Sequence, residues 1–232
     1  MRAVFDHPLF FKITVNLKYE LLAVCRCYQD MIYPLFFLIL VIVLFPLSVC
    51  PDPVLLNKIS AGIFWIVVLF LVLLMLDQLF RNDWKEGDLE QLILTPNALS
   101  LAIFIKLLVF CLAISLPLIV MTPFLSLCLY IPIRALKTLC WSIFLGTPSL
   151  IFLGGIARAL TLGLRHSGLL IVLIVIPFYI PVLIFASSAV SFASMGSSAN
   201  GPLAWLSVLM LLSVSLSPLV IRMILRLGIA FV

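Results

Sequence analysis

Long apolar runs without any charged residue dominate this chain of 232 residues. Met31–Val49 and Ile59–Leu76 are the first two, and a transmembrane helix needs about 20 apolar residues. Four further stretches have the same character, and only the first of them contains a charge, at Lys106: 98–124, 139–157, 168–190 and 203–221. Backbone groups in lipid must bond within the chain, so each stretch is expected to be a helix. The sequence therefore predicts an all-α membrane protein with six transmembrane helices.

The composition excludes a soluble protein. Hydrophobic residues make up 65% and charged residues 10%, and the mean hydropathy is +1.36. A soluble domain carries about a quarter charged residues. The net charge of +5 is scattered along the chain rather than gathered in a basic run. It therefore indicates membrane topology and not nucleic-acid binding.

The basic residues also predict which side the termini face. An even number of spans places both termini on one side, and cytoplasmic segments are enriched in Lys and Arg. The opposite turns hold only Lys58, Arg134 and Lys137. The side of the termini holds ten basic residues: Arg2, Lys12, Lys18, Arg26, Arg81, Lys85, Arg158, Arg165, Arg222 and Arg226. This asymmetry predicts cytoplasmic termini.

Residues 1–30 form a first unit, ahead of a transmembrane domain at 31–232. Between residues 9 and 29 apolar side chains such as Ile13 and Leu17 recur at helical spacing, with Lys12 and Glu20 on another side. This pattern is typical of a helix lying in the membrane interface. An amphipathic helix packed on protein is the alternative.

A charged segment between the second and third apolar runs (81–97) is the most polar part of the chain. It holds four of the nine acids, and no Asp or Glu follows residue 90. Gly87 permits a turn, and Asp88 with Gln91 fits a capping box that begins a short helix. We expect a cytoplasmic helix that docks a soluble partner, with a solvated loop as the alternative. The predicted contact residues are Arg81, Asp83, Glu86, Gly87, Asp88, Leu89, Glu90, Gln91 and Leu92.

Other residues carry predictions about packing. Gly155, Ala159 and Gly163 are spaced four apart, which allows helices to approach closely in lipid. Pro177 and Pro181 each free a backbone carbonyl and predict a broken or kinked helix. Two more prolines, Pro117 and Pro123, are expected to bend or end the third span. Asp77 could pair with Arg81 at i,i+4 if the second helix continues.

Residues for catalysis are not assembled in this sequence. The two histidines, His7 and His166, have no carboxylate at metal-ligand spacing, and no GxxxxGK[ST] motif is present. The six cysteines form no CxxC pair and are expected to be small buried hydrophobes. Proton-coupled transport needs ionisable groups along a path, and after Asp77 the spans offer only Lys106 and the basic helix ends. We therefore expect a membrane component without an active site, bound metal or cofactor of its own, driven by a separate ATPase.

Three stretches in order resemble the CcmB family, haem exporter protein B of the cytochrome c maturation system. They are LFRNDWKEGDLEQLIL (79–94), LGTPSLIFLGGIARALTLGLR (145–165) and GLLIVLIVIPFYIPVLIFASSAV (168–190). The first matches the family's L-F-R-x-D-x-x-x-G-x-L-E-Q-L pattern. The resemblance covers most of the chain.

The resemblance implies an ABC-2-type membrane subunit of an ABC transporter in the bacterial inner membrane. Its partners would be the ATPase CcmA, which binds ATP, together with CcmC, CcmD and the haem chaperone CcmE, with two copies of this chain per complex. Hydrolysis would be coupled to haem export or to release of haem-loaded CcmE. The segment 81–97 would then be the coupling helix against CcmA. A non-transporting scaffold, or an exporter of another hydrophobic substrate, remains an alternative.

Overall fold

A computed structural model describes residues 28–49, 53–80, 99–161 and 167–229. Six α-helices fill almost all of these ranges. In chain order they are α1 Tyr28–Val49, α2 Pro53–Leu76, α3 Leu99–Cys128, α4 Ile133–Leu160, α5 Ser167–Ser194 and α6 Asn200–Ile229.

Five of these helices, α2 to α6, are long and apolar enough to cross a membrane. The described apolar part of α1, Ile32–Ser48, is shorter. Large apolar side chains such as Val120, Leu127 and Ile133 are exposed on the outside of the bundle, which suits lipid and not water. The prediction of an all-α, multi-pass membrane protein is confirmed. The count of six spans and the ABC-2 arrangement stay predictions.

Neither pair of prolines ends its helix. The third span was expected to bend or end at Pro117 or Pro123, but α3 continues past both to Cys128. A break or kink was expected at Pro177 and Pro181, and α5 runs without interruption from Ser167 to Ser194. Proline removes one hydrogen bond, and the neighbouring turns still form theirs. A bend at any of these four prolines stays a prediction.

Two tight turns join long helices at the same end of the bundle. After α3, Tyr130 has a φ of 54° and Ile131 N–H donates to the Ser126 carbonyl at 2.9 Å. After α5, Gly196 has a φ of 79° and Ser197 N–H donates to the Phe192 carbonyl at 2.9 Å. Both turns use a left-handed residue and a 6→1 hydrogen bond, the Schellman arrangement that ends helices.

Helix α4 lies at the centre of the bundle. It packs against α6 and α5 most extensively, and also against α3 and α2. Its buried face includes Leu139, Ile143, Leu150 and Ile151. Helices α2 and α4 are the most buried of the apolar helices, and α5 and α6 are the most exposed. Any displacement of α4 must therefore change its packing against four neighbouring helices.

Contacts define two ends of the bundle. At the Asn57 end, Asn57 Nδ2 donates to the Tyr130 carbonyl at 3.1 Å, and Arg134 lies beside Gly196. At the opposite end, α2, α3, α4 and α6 are joined through the contacts of Asp77 and its neighbours, described below. The predicted N-terminal unit lies outside the described residues up to residue 27, and α1 begins at Tyr28.

Candidate functional site

The Asp77 end of the bundle is defined here by Asp77, Phe80, Ser100, Arg158 and Arg222. The charged segment starts directly after Phe80 and ends two residues before Leu99, and both Phe80 and Leu99 are buried. The segment itself, with the nine contact residues predicted from Arg81 to Leu92, lies outside the described residues. The structure therefore describes the two points where this segment joins the bundle.

The first junction contains an ion pair between α4 and the turn that follows α2. Arg158 Nη2 lies 3.3 Å from Asp77 Oδ1; the arginine side chain is 8% exposed and the aspartate side chain 47%. Arg158 is in the last turn of α4, where backbone carbonyls favour a cation. A buried cation is costly without a counter-charge, so Asp77 allows α4 to keep Arg158 inside the bundle.

The same junction is held by apolar packing. Leu79 and Phe80 are almost fully buried, and Lys106 Nζ of α3 lies 5.9 Å from the centroid of the Phe80 ring. This distance is within the range of a cation–π interaction. The predicted depth of Lys106, near one end of its span, agrees with this position close to Phe80.

The second junction contains a hydrogen bond between α3 and α6. Arg222 Nη1 donates to Ser100 Oγ at 3.3 Å. Ser100 is the second residue of α3, just after the charged segment. Both flanks of the segment are thus connected by polar contacts to the two neighbouring helices α4 and α6.

Gly155 lies where elements from both junctions meet. A Cβ at this position would lie 2.9 Å from Leu107 Cδ2, 3.4 Å from Ile221 Cδ1 and 3.7 Å from Leu79 Cδ2. These atoms belong to α3, to α6 and to the turn after α2. Ala159, one turn later, is also buried. Gly163, the third member of the predicted small-residue stripe, lies outside the described residues.

Sequence reasoning missed the pairing of Asp77 with Arg158. It offered Arg81 as a partner for Asp77 and assigned Arg158 to a basic exit from the membrane. A signal was available: Arg158 stands among apolar residues, and no acid follows residue 90. A buried cation in the second half of the chain must therefore find its carboxylate in the first half.

The described residues at this end offer charge pairing, hydrogen bonding and packing. No group of His, Cys, Asp and Glu that could hold a metal ion occurs within the ranges that the structure describes. Of the cysteines in those ranges, Cys111 is buried, and Cys128 and Cys140 are partly buried. The arrangement can hold the flanks of the charged segment in fixed positions relative to α4 and α6, and so can transmit a displacement.

A family model, described as CcmB protein, matches residues 11–228. The chain belongs to the CcmB family. Heme exporter protein B of Pseudomonas aeruginosa is 43% identical over 188 residues, covering 81% of this chain and 84% of the relative. The protein of the same name in Haemophilus influenzae is 42% identical over 212 residues, covering 91% and 96%. The Escherichia coli K12 protein, also Heme exporter protein B, is 38% identical over the same length and shares.

The match to the CcmB family confirms the resemblance found in the sequence. It extends across the charged segment, both junctions at the Asp77 end and all five helices that are long enough to span a membrane. The relatives therefore correspond to the whole helical bundle and not to one motif.

Proposed function

We propose that this chain is the membrane subunit of a haem exporter complex that serves cytochrome c maturation, driven by a separate ATPase. The observation that carries the proposal is the match to Heme exporter protein B over 91% of this chain and 96% of the relative. Six apolar helices fill most of the residues that the structure describes, and the sequence contains no GxxxxGK[ST] nucleotide-binding motif. Energy for transport must then come from a partner.

Segment 81–97 is the proposed coupling element against the ATPase, CcmA in the family's terms. Its charged residues form the rim of the contact, and Leu89 and Leu92 form the apolar side that enters a groove on the partner. The contacts at the two junctions support this role. Because Asp77 pairs with Arg158 and Ser100 with Arg222, a displacement of the segment pulls on α4 and α6.

Family membership supports a proposal for the wider assembly. We infer an inner-membrane complex with cytoplasmic termini, two copies of this chain, and CcmC, CcmD and the haem chaperone CcmE as partners. Haem is the substrate of the complex, and the step driven by hydrolysis is export of haem or release of haem-loaded CcmE. This chain contributes the transmembrane helices that move and pack together, and the partner ATPase contributes ATP hydrolysis.

Charge reversal in the segment tests the coupling role. In the double variant Glu86→Lys with Glu90→Lys, we expect loss of co-purification with the ATPase and loss of the hydrolysis that depends on this subunit. The matched control is Lys58→Glu with Lys137→Glu near the Asn57 end, a change of equal size and opposite sign. It is expected to keep both properties.

Two outcomes would contradict the proposal. Assembly and hydrolysis that survive the Glu86 and Glu90 reversals would remove the docking role from this segment. Complexes whose ATPase cannot hydrolyse ATP, yet which still mature cytochrome c fully, would leave the chain as a scaffold.

A further inference from the structure

A hydroxyl residue directly precedes a proline inside three of the described helices, and two of these dipeptides lie in the neighbouring helices α4 and α6. Thr147–Pro148 lies at the middle of α4, and Ser217–Pro218 lies just past the middle of α6. All four residues are buried. We refer to these dipeptides as the two hydroxyl–proline steps.

The hydroxyl groups of these steps differ from the other buried hydroxyls of the described helices. Thr147 Oγ1 and Ser217 Oγ have no hydrogen-bond partner in the protein, and both residues are 0% exposed. Every other buried serine or threonine in the described ranges has one. Most donate to a carbonyl of their own helix, as Thr122 does to Leu118 at 2.8 Å and Ser149 to Leu145 at 2.9 Å.

Each proline leaves one backbone carbonyl of its helix without the N–H that would normally donate to it. Pro148 has no N–H, so the helical hydrogen bond to the Phe144 carbonyl cannot form, and Pro218 has the same effect on the Val214 carbonyl. In membrane helices such carbonyls are satisfied by neighbouring helices, by Ser or Thr side chains, or by ordered water. The adjacent hydroxyls could do this here, yet neither is hydrogen bonded to the protein.

The two steps lie close together in depth. Helices α4 and α6 are separated in the chain by one returning helix, so they run in the same direction. Their register is given by Ile221 Cδ1, which lies 3.4 Å from the position of a Cβ on Gly155. Thr147 comes eight residues before Gly155 and Ser217 four before Ile221. At about 1.5 Å per residue the two steps differ by about 6 Å, roughly one turn.

We propose that each of the two hydroxyl–proline steps binds one buried water molecule, one in α4 and one in α6. At each step one water molecule donates a hydrogen bond to the carbonyl freed by the proline and forms a second one with the neighbouring hydroxyl. A buried water needs two to four polar partners, and each step supplies two from its own helix. These sites go beyond the proposed function and do not depend on it.

Removing each hydroxyl tests its site through the sign of the stability change. Thr147→Val keeps the side-chain shape, and Ser217→Ala removes little else. If water joins hydroxyl and carbonyl, each substitution lowers the Tm of the full chain in lipid nanodiscs by about 2–4 °C. If the hydroxyl is unsatisfied, its removal raises the Tm, and this result, or no change, would overturn the proposal.

A second measurement separates water binding from simple packing loss. Pro148→Ala restores the N–H that the Phe144 carbonyl lacks, so Thr147→Val should lose its effect in that background. The matched control is Thr122→Val. Thr122 also directly precedes a proline, Pro123, but its hydroxyl is hydrogen bonded to its own helix. Its effect should therefore be additive with that of Pro148→Ala. Equal losses from Thr147→Val with and without Pro148 would contradict the site.

Radiolytic labelling keeps the proposal testable where a variant does not fold. Hydroxyl radicals formed from bound water by a short X-ray pulse modify side chains beside that water. In the unmodified chain we expect oxidation of Pro148 and Pro218 although both are buried, and none at the buried Leu71 and Leu139, which lie away from both steps. Equal labelling of all four, or none at the prolines, would overturn the assignment.

Discussion

The Trp65 ring of α2 occupies the place where Gly146 of α4 would carry a side chain. A Cβ built on Gly146 would come within 2.9 Å of Trp65 Cζ3 and closer still to Cη2. Trp65 is fully buried and its ring is also in edge contact with Phe64 at 6.1 Å between centroids. A rigid indole with packed neighbours cannot move aside as the end of a flexible side chain can.

Gly146→Ala is therefore expected to destabilise the bundle by about 1–3 kcal/mol, the usual cost of overpacking a core. Thermal unfolding in detergent measures the change. Gly62→Ala in α2 is the matched control, because nothing lies within 4 Å of its new Cβ. It should be neutral or stabilising by up to about 1 kcal/mol, since Ala favours helix over Gly. Equal effects of the two substitutions would contradict this packing.

The Tyr179 hydroxyl links α5 to α4 by donating to the Leu150 carbonyl at 2.6 Å. Tyr179→Phe should cost about 1 kcal/mol, since it removes one buried hydrogen bond with little change of shape. The same hydroxyl lies beside the position of a Cβ on Gly154. Gly154→Ala should therefore cost less in the Tyr179→Phe background than alone. Strict additivity in unfolding measurements would disprove this contact.

The Asp77–Arg158 pair predicts an energetic coupling between two residues far apart in the chain. Groups that form one ion pair show interaction energies of about 0.5–3 kcal/mol in a double-mutant cycle. We expect Asp77→Asn and Arg158→Gln to show such a value in thermal unfolding. Asp77→Asn combined with Lys137→Gln, at the opposite end, should be additive within about 0.5 kcal/mol. Additivity of the first pair would remove the ion pair from the description.

The proposed orientation predicts the labelling of cysteines placed at the two ends. Ser197 is exposed in the turn after α5, at the Asn57 end, and Asn82 belongs to the charged segment. In a chain whose six native cysteines are replaced, Ser197→Cys should react with an impermeant maleimide in spheroplasts, and Asn82→Cys only after permeabilisation. The reverse pattern would place the coupling segment outside the cell.

The helices could be predicted from the sequence because a segment that crosses lipid must be a helix of about 20 mostly apolar residues. Long uncharged runs therefore mark the spans. Their ends were less predictable. Helix α4 was expected from Leu139 and begins at Ile133, because Arg134 and Lys137 form helical hydrogen bonds as well as apolar residues do. The prediction used the limits of the apolar run, and the backbone continues beyond them. The same reasoning explains why α5 extends to Ser194.

Contacts between helices could not be predicted from the sequence in the same way. The Asp77–Arg158 pair and the contact between Trp65 and Gly146 depend on the rotation of each helix about its axis. Periodicity carries little information about rotation when every face of a helix is apolar. Only the absence of acids after residue 90 pointed toward Asp77. The contact residues of the charged segment and its helical form stay predictions.

The order of Asp77 and Arg158 in the chain matters for biosynthesis. Helices enter the bilayer as they leave the ribosome, so α2 and the Asp77 carboxylate that directly follows it are inserted before α4 and its Arg158 guanidinium. The Asp77 carboxylate is thus already present when the Arg158 guanidinium is inserted. If the second half of the chain were expressed separately, Arg158 would have no aspartate to pair with. We therefore expect this fragment to insert poorly into the membrane.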